Sequence, residues 1–101
     1  MLVTLGQSAT IRTVHEVRNA LLEGFEKDGA VTVDAARVEE VDLSLIQLLD
    51  AARTHAAAKG LAFALTAPAN AALAAMLERN GFLTAPSSAE LAFWLQGETQ
   101  Q

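Results

Sequence analysis

The sequence contains no cysteine, so disulfide bonds, thiol catalysis and cysteine-based metal sites are all excluded. The absence of cysteine fits a reducing compartment, and we expect a cytoplasmic protein. Long apolar runs are also missing, because no stretch approaches the roughly 18 uninterrupted apolar residues that cross a membrane. The N-terminus does not have the charged and apolar segments of a signal peptide. We therefore expect no direct membrane insertion.

Basic residues are few. Seven lysines and arginines stand against twelve acidic residues, which gives a formal net charge of −5. The basic residues are scattered along the chain, and they form no patch that could follow a phosphate backbone. The charge distribution therefore argues against nucleic-acid binding.

Catalytic groups are scarce as well. The only imidazoles are His15 and His55, and no cysteine or carboxylate pair accompanies them at a metal-ligand spacing. Ser44 and His55 lie about three turns apart on the same predicted helix, which argues against a direct serine–histidine pair. There is no glycine-rich phosphate loop. We predict no enzyme activity and no cofactor.

An acidic cluster precedes and begins the second predicted helix. It consists of Asp34, Glu39, Glu40 and Asp42. We interpret these residues as solvated loop charges, and binding of Mg²⁺ is the alternative.

The 101 residues, of which 51% are hydrophobic, are enough for one domain with its own core. We therefore predict a single domain over residues 1–101, in which 97–101 form a polar tail. Short apolar runs predict strands at 2–5, 9–11, 31–34, 61–66 and 82–84, and three- and four-residue spacings predict helices at 13–27, 43–58, 71–79 and 89–95. Alternating strands and helices are typical of an α/β fold with a mixed, mostly parallel sheet of about four or five strands and about four helices.

Three details of this scheme are open to test. We expect the first two strands to pair as a hairpin, and we expect both faces of the 61–66 strand to be buried. The last element could instead be a strand through 91–95. Its Phe93 and Trp94 could pack in the core or be presented outward.

Capping signals mark the predicted helix ends. Thr13 and Glu16 have the spacing of a capping box, and so do Ser87 and Glu90. Gly29 suits the left-handed conformation that often ends a helix. Asp42 suits the N-cap of the second helix, because its carboxylate can accept hydrogen bonds from free N–H groups of the first turn.

The second predicted helix has one apolar face and one polar face. At about 100° per residue, the apolar face contains Leu45, Ile46, Leu49, Ala52 and Ala56. The opposite stripe contains Gln47, Asp50 and Thr54, and Leu43 stands at its head. Leu43 is then either an ordinary exposed leucine or, together with Ser44, the start of a docking surface.

The stretch from Val33 to Leu49, with the order Val38-Glu39-Glu40-Val41-Asp42-Leu43-Ser44, resembles the STAS domain. That family includes anti-sigma factor antagonists and the STAS subunit of bacterial lipid-transport complexes. The resemblance implies a non-enzymatic interaction module that docks through the start of its second helix. It also implies that the residue after the Asp is a serine or threonine that a partner kinase phosphorylates in many members.

This sequence departs from that pattern. Leu43 occupies the usual phosphoacceptor position and has no hydroxyl, and Leu45 replaces the small residue usual two positions later. Ser44 is the remaining candidate for phosphorylation, but it points about 100° away from Leu43 around the helix.

The resemblance therefore predicts a protein-interaction module in bacterial signal transduction. Its partner would be a switch kinase, an anti-sigma factor or a related signalling protein. The alternative is the small STAS subunit of an ABC-type phospholipid-transport complex that docks on the ATPase. In both cases the predicted partner-binding residues are Glu40, Asp42, Leu43, Ser44 and Gln47.

Overall fold

The computed structural model describes residues 1–84 and 87–95, and the predicted tail at 97–101 lies outside them. The elements in chain order are β1 (Leu2–Thr4), β2 (Ser8–Ala9), α1 (Val14–Asp28), β3 (Ala30–Asp34), β4 (Glu40–Val41), α2 (Leu43–Lys59), β5 (Ala62–Leu65), α3 (Ala71–Arg79) and α4 (Ser88–Trp94). The α/β class and its four helices are confirmed.

All strand pairs in the described part of the chain are parallel. β3 lies in the centre of a three-stranded sheet of order β1-β3-β5, and Val33 is in register with Val3 on one side and Leu65 on the other. β2 and β4 form a separate pair.

The predicted hairpin between the first two strands is wrong. The carbonyl of Gln7, between β1 and β2, accepts hydrogen bonds from the N–H groups of Glu39 and Glu40, each at 2.9 Å. This anchors the connection beside β4, so that β2 runs along β4 instead of folding back on β1.

The helices pack on one face of the three-stranded sheet. Phe63 of β5 lies with its ring 5.4 Å from that of Phe25 on α1 and 5.0 Å from that of Phe93 on α4. All five residues predicted for the apolar face of α2 are buried in the same core: Leu45, Ile46, Leu49, Ala52 and Ala56. The helical periodicity therefore identified the inner face of α2.

The other face of the sheet is open, which overturns the prediction that both faces of β5 are buried. Ala62 and Ala64 on β5 are exposed, as is Leu2 on β1. The described helices lie on the opposite side, so the small side chains of β5 face solvent instead of a closely approaching helix.

The chain after α3 contains a turn and a helix. The predicted strand at 82–84 is wrong, because Phe82 N–H donates to the carbonyl of Leu77 at 2.9 Å and Thr84 N–H to that of Gly81 at 3.3 Å. These bonds extend the end of α3 into a turn. α4 is a helix and not a strand, and its residues Phe93 and Trp94 are buried in the core.

Candidate functional site

Asp42 determines the geometry at the start of α2. Its backbone is extended, with φ −123° and ψ 177°, and its Oδ1 accepts a hydrogen bond from the N–H of Leu45 at 3.4 Å. This confirms the predicted N-cap. Its other oxygen, Oδ2, accepts a hydrogen bond from the N–H of Ile11 at 2.9 Å. One carboxylate therefore holds the loop between β2 and α1 against the first turn of α2.

Two large apolar side chains are exposed where these segments meet. Leu43 has 38% of its surface exposed and Ile11 has 60%. Gln47, one turn beyond Leu43 on the same stripe of α2, is also exposed. We call this set, Ile11, Asp42, Leu43 and Gln47, the α2 docking surface.

Ile11 was not among the residues predicted for the site. The sequence placed it in a short strand from 9 to 11, but β2 ends at Ala9. The bond that fixes Ile11 joins residues 31 positions apart. The position of Ile11 could be predicted only with knowledge of the β2–β4 pairing, and no local sequence pattern indicates that pairing.

Ser44 and Glu40 lie beside the docking surface. Ser44 is half-buried on the flank of α2, whereas Leu43 is exposed. The carboxylate of Glu40 is exposed and accepts a hydrogen bond from the hydroxyl of Ser8 at 2.8 Å. Glu40 therefore contributes negative charge two residues before Asp42, and it also ties β4 to β2.

The acidic cluster predicted around β4 is divided among separate local contacts. Asp34 accepts a hydrogen bond from the N–H of Ala36 at 3.0 Å, Glu40 is bound to Ser8, and Asp42 caps α2. Within the described residues, no three histidine or acidic side chains are placed to hold a metal ion. Three of the four carboxylates therefore take part in separate local hydrogen bonds.

The two histidines lie apart from the docking surface. His15 is exposed in the first turn of α1, and His55 is exposed late in α2, where its ring centre is 5.8 Å from that of Phe25. Ser44 and His55 are at opposite ends of α2, so the structure does not bring them together.

Comparison with known proteins identifies the family of the chain. A family model described as "Mlab, STAS domain" matches residues 1–85. No curated protein and no solved structure matches the chain significantly. STAS domains are generally non-enzymatic and mediate contacts between proteins. In the described part of the chain, the helices are too short or too polar to cross a membrane. The matched region includes every strand that the structure describes, helices α1 to α3 and the α2 docking surface, and the chain thus belongs to the STAS domain family.

Proposed function

We propose that the chain is a non-enzymatic interaction module that binds a partner protein through the α2 docking surface. The observation that carries the proposal is the position of Leu43, which is exposed at the head of a helix whose other large apolar residues turn inward. Asp42, the residue before Leu43, accepts a hydrogen bond from Ile11, so both exposed apolar residues are held next to Asp42.

The chemistry of this surface indicates what the partner must supply. Burying a large aliphatic side chain completely contributes about 1.5–3 kcal/mol, and Leu43 and Ile11 are each only partly buried now. The carboxylates of Glu40 and Asp42 flank them. A partner with an apolar pocket and basic residues at its rim would be complementary to both features.

Binding through Leu43 would not depend on phosphorylation at that position. A phosphoryl group needs a hydroxyl, and Leu43 has none. A phosphate on the neighbouring Ser44 would add a charge of about −1.5 to −2 next to the carboxylate of Asp42. We therefore propose that phosphorylation at position 43 does not control formation of the complex. Ser44 is the remaining candidate for modification.

The proposed partner is a signalling protein: a switch kinase, an anti-sigma factor or a related component of bacterial signal transduction. The second candidate is the ATPase of an ABC-type phospholipid-transport complex, in which the chain would be a small permanent subunit. Leu43 favours this second candidate, because a permanent subunit needs an apolar contact and has no use for a hydroxyl switch.

Affinity capture from the native cell, followed by mass spectrometry, tests the proposal and separates the two candidates. We expect the wild-type chain to recover either a kinase or sigma-pathway protein or a transporter ATPase, and we expect Leu43→Glu to recover much less of the same protein. Leu22→Glu is the matched control, because Leu22 is 44% exposed at the middle of α1. Equal recovery with Leu43→Glu would remove this surface from the interface, and a phosphopeptide containing Ser44 would identify the modification.

A further inference from the structure

The outer edge of β1 carries unpaired backbone groups. β1 pairs only with β3, and Thr32 N–H donates to the carbonyl of Met1 at 2.8 Å while Leu5 N–H donates to that of Asp34 at 2.9 Å. Because residues alternate along a strand, Val3 faces β3 with both its N–H and C=O, and those of Leu2 and Thr4 point away. Neither Leu2 nor Thr4 has a backbone partner on that side in the described residues.

A hollow of about 340 Å³ lies directly beside this edge, between β1, the β1–β2 connection and α1. Its apolar lining includes the buried side chains of Val3, Leu5 and Val17. Gly6 also lines the hollow, and a Cβ atom added at Gly6 would meet nothing within 4 Å. A side chain from outside could therefore enter it without displacing the core.

Glu16 gives the hollow its charge. It is exposed at the rim, and within the described residues its carboxylate has no hydrogen bond and no ion pair. No lysine or arginine lines the hollow. A second copy of this chain is a poor match for the edge, since two copies joined there would bring together two net charges of −5 and two copies of Glu16.

We propose that the β1 edge binds an extended segment of a partner protein that carries a small apolar residue and a lysine or arginine on the same side of its strand. The backbone of the segment bonds to Leu2 and Thr4, its apolar side chain fills the hollow, and its basic side chain faces Glu16. The β1 edge and the hollow share no residue with the α2 docking surface, so variants at Thr4 and at Leu43 test the two proposals separately.

A labelled peptide provides the test. The probe is an eight-residue peptide that repeats Val-Thr-Lys-Thr, which places valine and lysine on one side of a strand. Its matched control replaces each lysine with glutamate. In fluorescence anisotropy we expect the lysine peptide to bind with a Kd below about 1 mM. We expect the glutamate peptide to bind at least about fivefold more weakly.

Three variants locate the binding. The backbone N–H that Thr4→Pro removes points away from β3, so this variant should keep the sheet while weakening binding at least about tenfold. Gly6→Val should also weaken binding, because it adds a bulky side chain at a residue that lines the hollow. Glu16→Gln should reduce the preference for the lysine peptide. The fluorescence of Trp94, the single tryptophan, confirms that each variant is folded.

Two results would overturn the proposal. One is the absence of binding by the lysine peptide up to about 1 mM, or equal binding by wild type, Thr4→Pro and Gly6→Val. The other is a concentration-dependent dimer of the chain that Thr4→Pro dissociates, because it would assign the edge to a second copy.

Discussion

At the scale of single residues, Asp42 has the largest structural role at the docking surface. A typical N-cap side chain bonds only to its own helix, but Asp42 bonds to Leu45 on α2 and to Ile11 in a distant loop. The same carboxylate therefore stabilises α2 and fixes one of the two exposed apolar side chains. A change at Asp42 should affect both the stability of the fold and the shape of the docking surface.

Replacing Asp42 separates these two contributions. We expect Asp42→Ala to lower the free energy of unfolding by about 1–3 kcal/mol, since it removes the cap and leaves the N–H of Ile11 without its acceptor. Asp42→Asn should cost less, because asparagine is as good an N-cap as aspartate. Some loss should remain, because asparagine has only one acceptor oxygen for the two hydrogen bonds. Urea unfolding followed by Trp94 fluorescence measures both. Equal losses in the two variants, or no loss in Asp42→Ala, would contradict this account.

Single residues could be predicted from the sequence where the signal is local. The cap at Asp42 and the exposure of Leu43 both follow from helical spacing within one segment. The role of Ile11 could not be predicted, because it depends on a bond between two segments that only the β2–β4 pairing brings together.

At the scale of elements, α1 approaches β3 closely at Gly24. A Cβ atom at this position would lie 2.6 Å from Cγ2 of Val31 and 3.1 Å from Sδ of Met1. The first distance is too short for any ordinary contact, and Val31 is buried in the central strand with little room to move. A glycine inside α1 therefore permits the helix to pack tightly on the sheet.

We expect Gly24→Ala to destabilise the protein, although alanine is the better helix former. The gain in helix propensity is about 1 kcal/mol, and overpacking costs about 1–3 kcal/mol, so the net change should be a loss. Glu26→Ala is the control on the same helix, because Glu26 is exposed and should change the stability by less than about 0.5 kcal/mol. Thermal unfolding compares the two, and a Gly24→Ala variant more stable than wild type would show that the helix can shift.

α4 begins with a capping box whose contribution to stability should depend on pH. The N–H of Ser87 donates to the carboxylate of Glu90 at 2.9 Å, and this bond, together with the Ser87 side chain, holds the pKa of Glu90 below its ordinary value of 4.5. Because the pKa is lower in the folded state, the bond stabilises the fold above pH 4.5, and this contribution is lost as the pH falls through the lowered pKa.

Glu90→Gln should remove this pH dependence. The difference in unfolding free energy between wild type and Glu90→Gln should be constant above about pH 5.5. It should shrink as the pH falls below the ordinary pKa of glutamate. Glu26→Gln, on the exposed face of α1, provides the matched control. A difference that grows in acid would contradict the sign of this prediction.

The two capping-box spacings show how far helix ends can be predicted. Ser87 forms the box, but Thr13 makes no side-chain cap. Instead, Thr13 has helical backbone angles, and its hydroxyl donates to the carbonyl of Thr10 at 3.2 Å. The spacing alone cannot show that the hydroxyl of Thr13 is already hydrogen-bonded to the preceding turn.

At the scale of the whole molecule, the described helices pack on a single face of the three-stranded sheet, and β2 and β4 form a separate pair. Aromatic contacts from Phe25 through Phe63 and Phe93 to Trp94 connect α1, β5 and α4 across that face. The sequence predicted the α/β class from the alternation of elements. It could not predict the open face, because small residues such as Ala62 and Ala64 suit both a solvent-facing strand and a closely packed one.

The position of the docking surface follows from this one-sided arrangement. α2 is held by its apolar face against the core, so its polar stripe, with Leu43 at its head, projects away from the sheet. Among the leucines of α2, Leu43 alone is exposed. In the proposed complex, Leu43 is therefore the point of contact with the partner.

The affinity of the purified partner for Leu43→Glu is the most direct test of that claim. We predict that the Kd rises at least about tenfold, or about 1.4 kcal/mol, because a charge replaces an apolar contact at the centre of the interface. Leu22→Glu, with a similarly exposed leucine on α1, should leave the Kd within about twofold of wild type. A Leu43→Glu variant that binds with wild-type affinity would contradict the account.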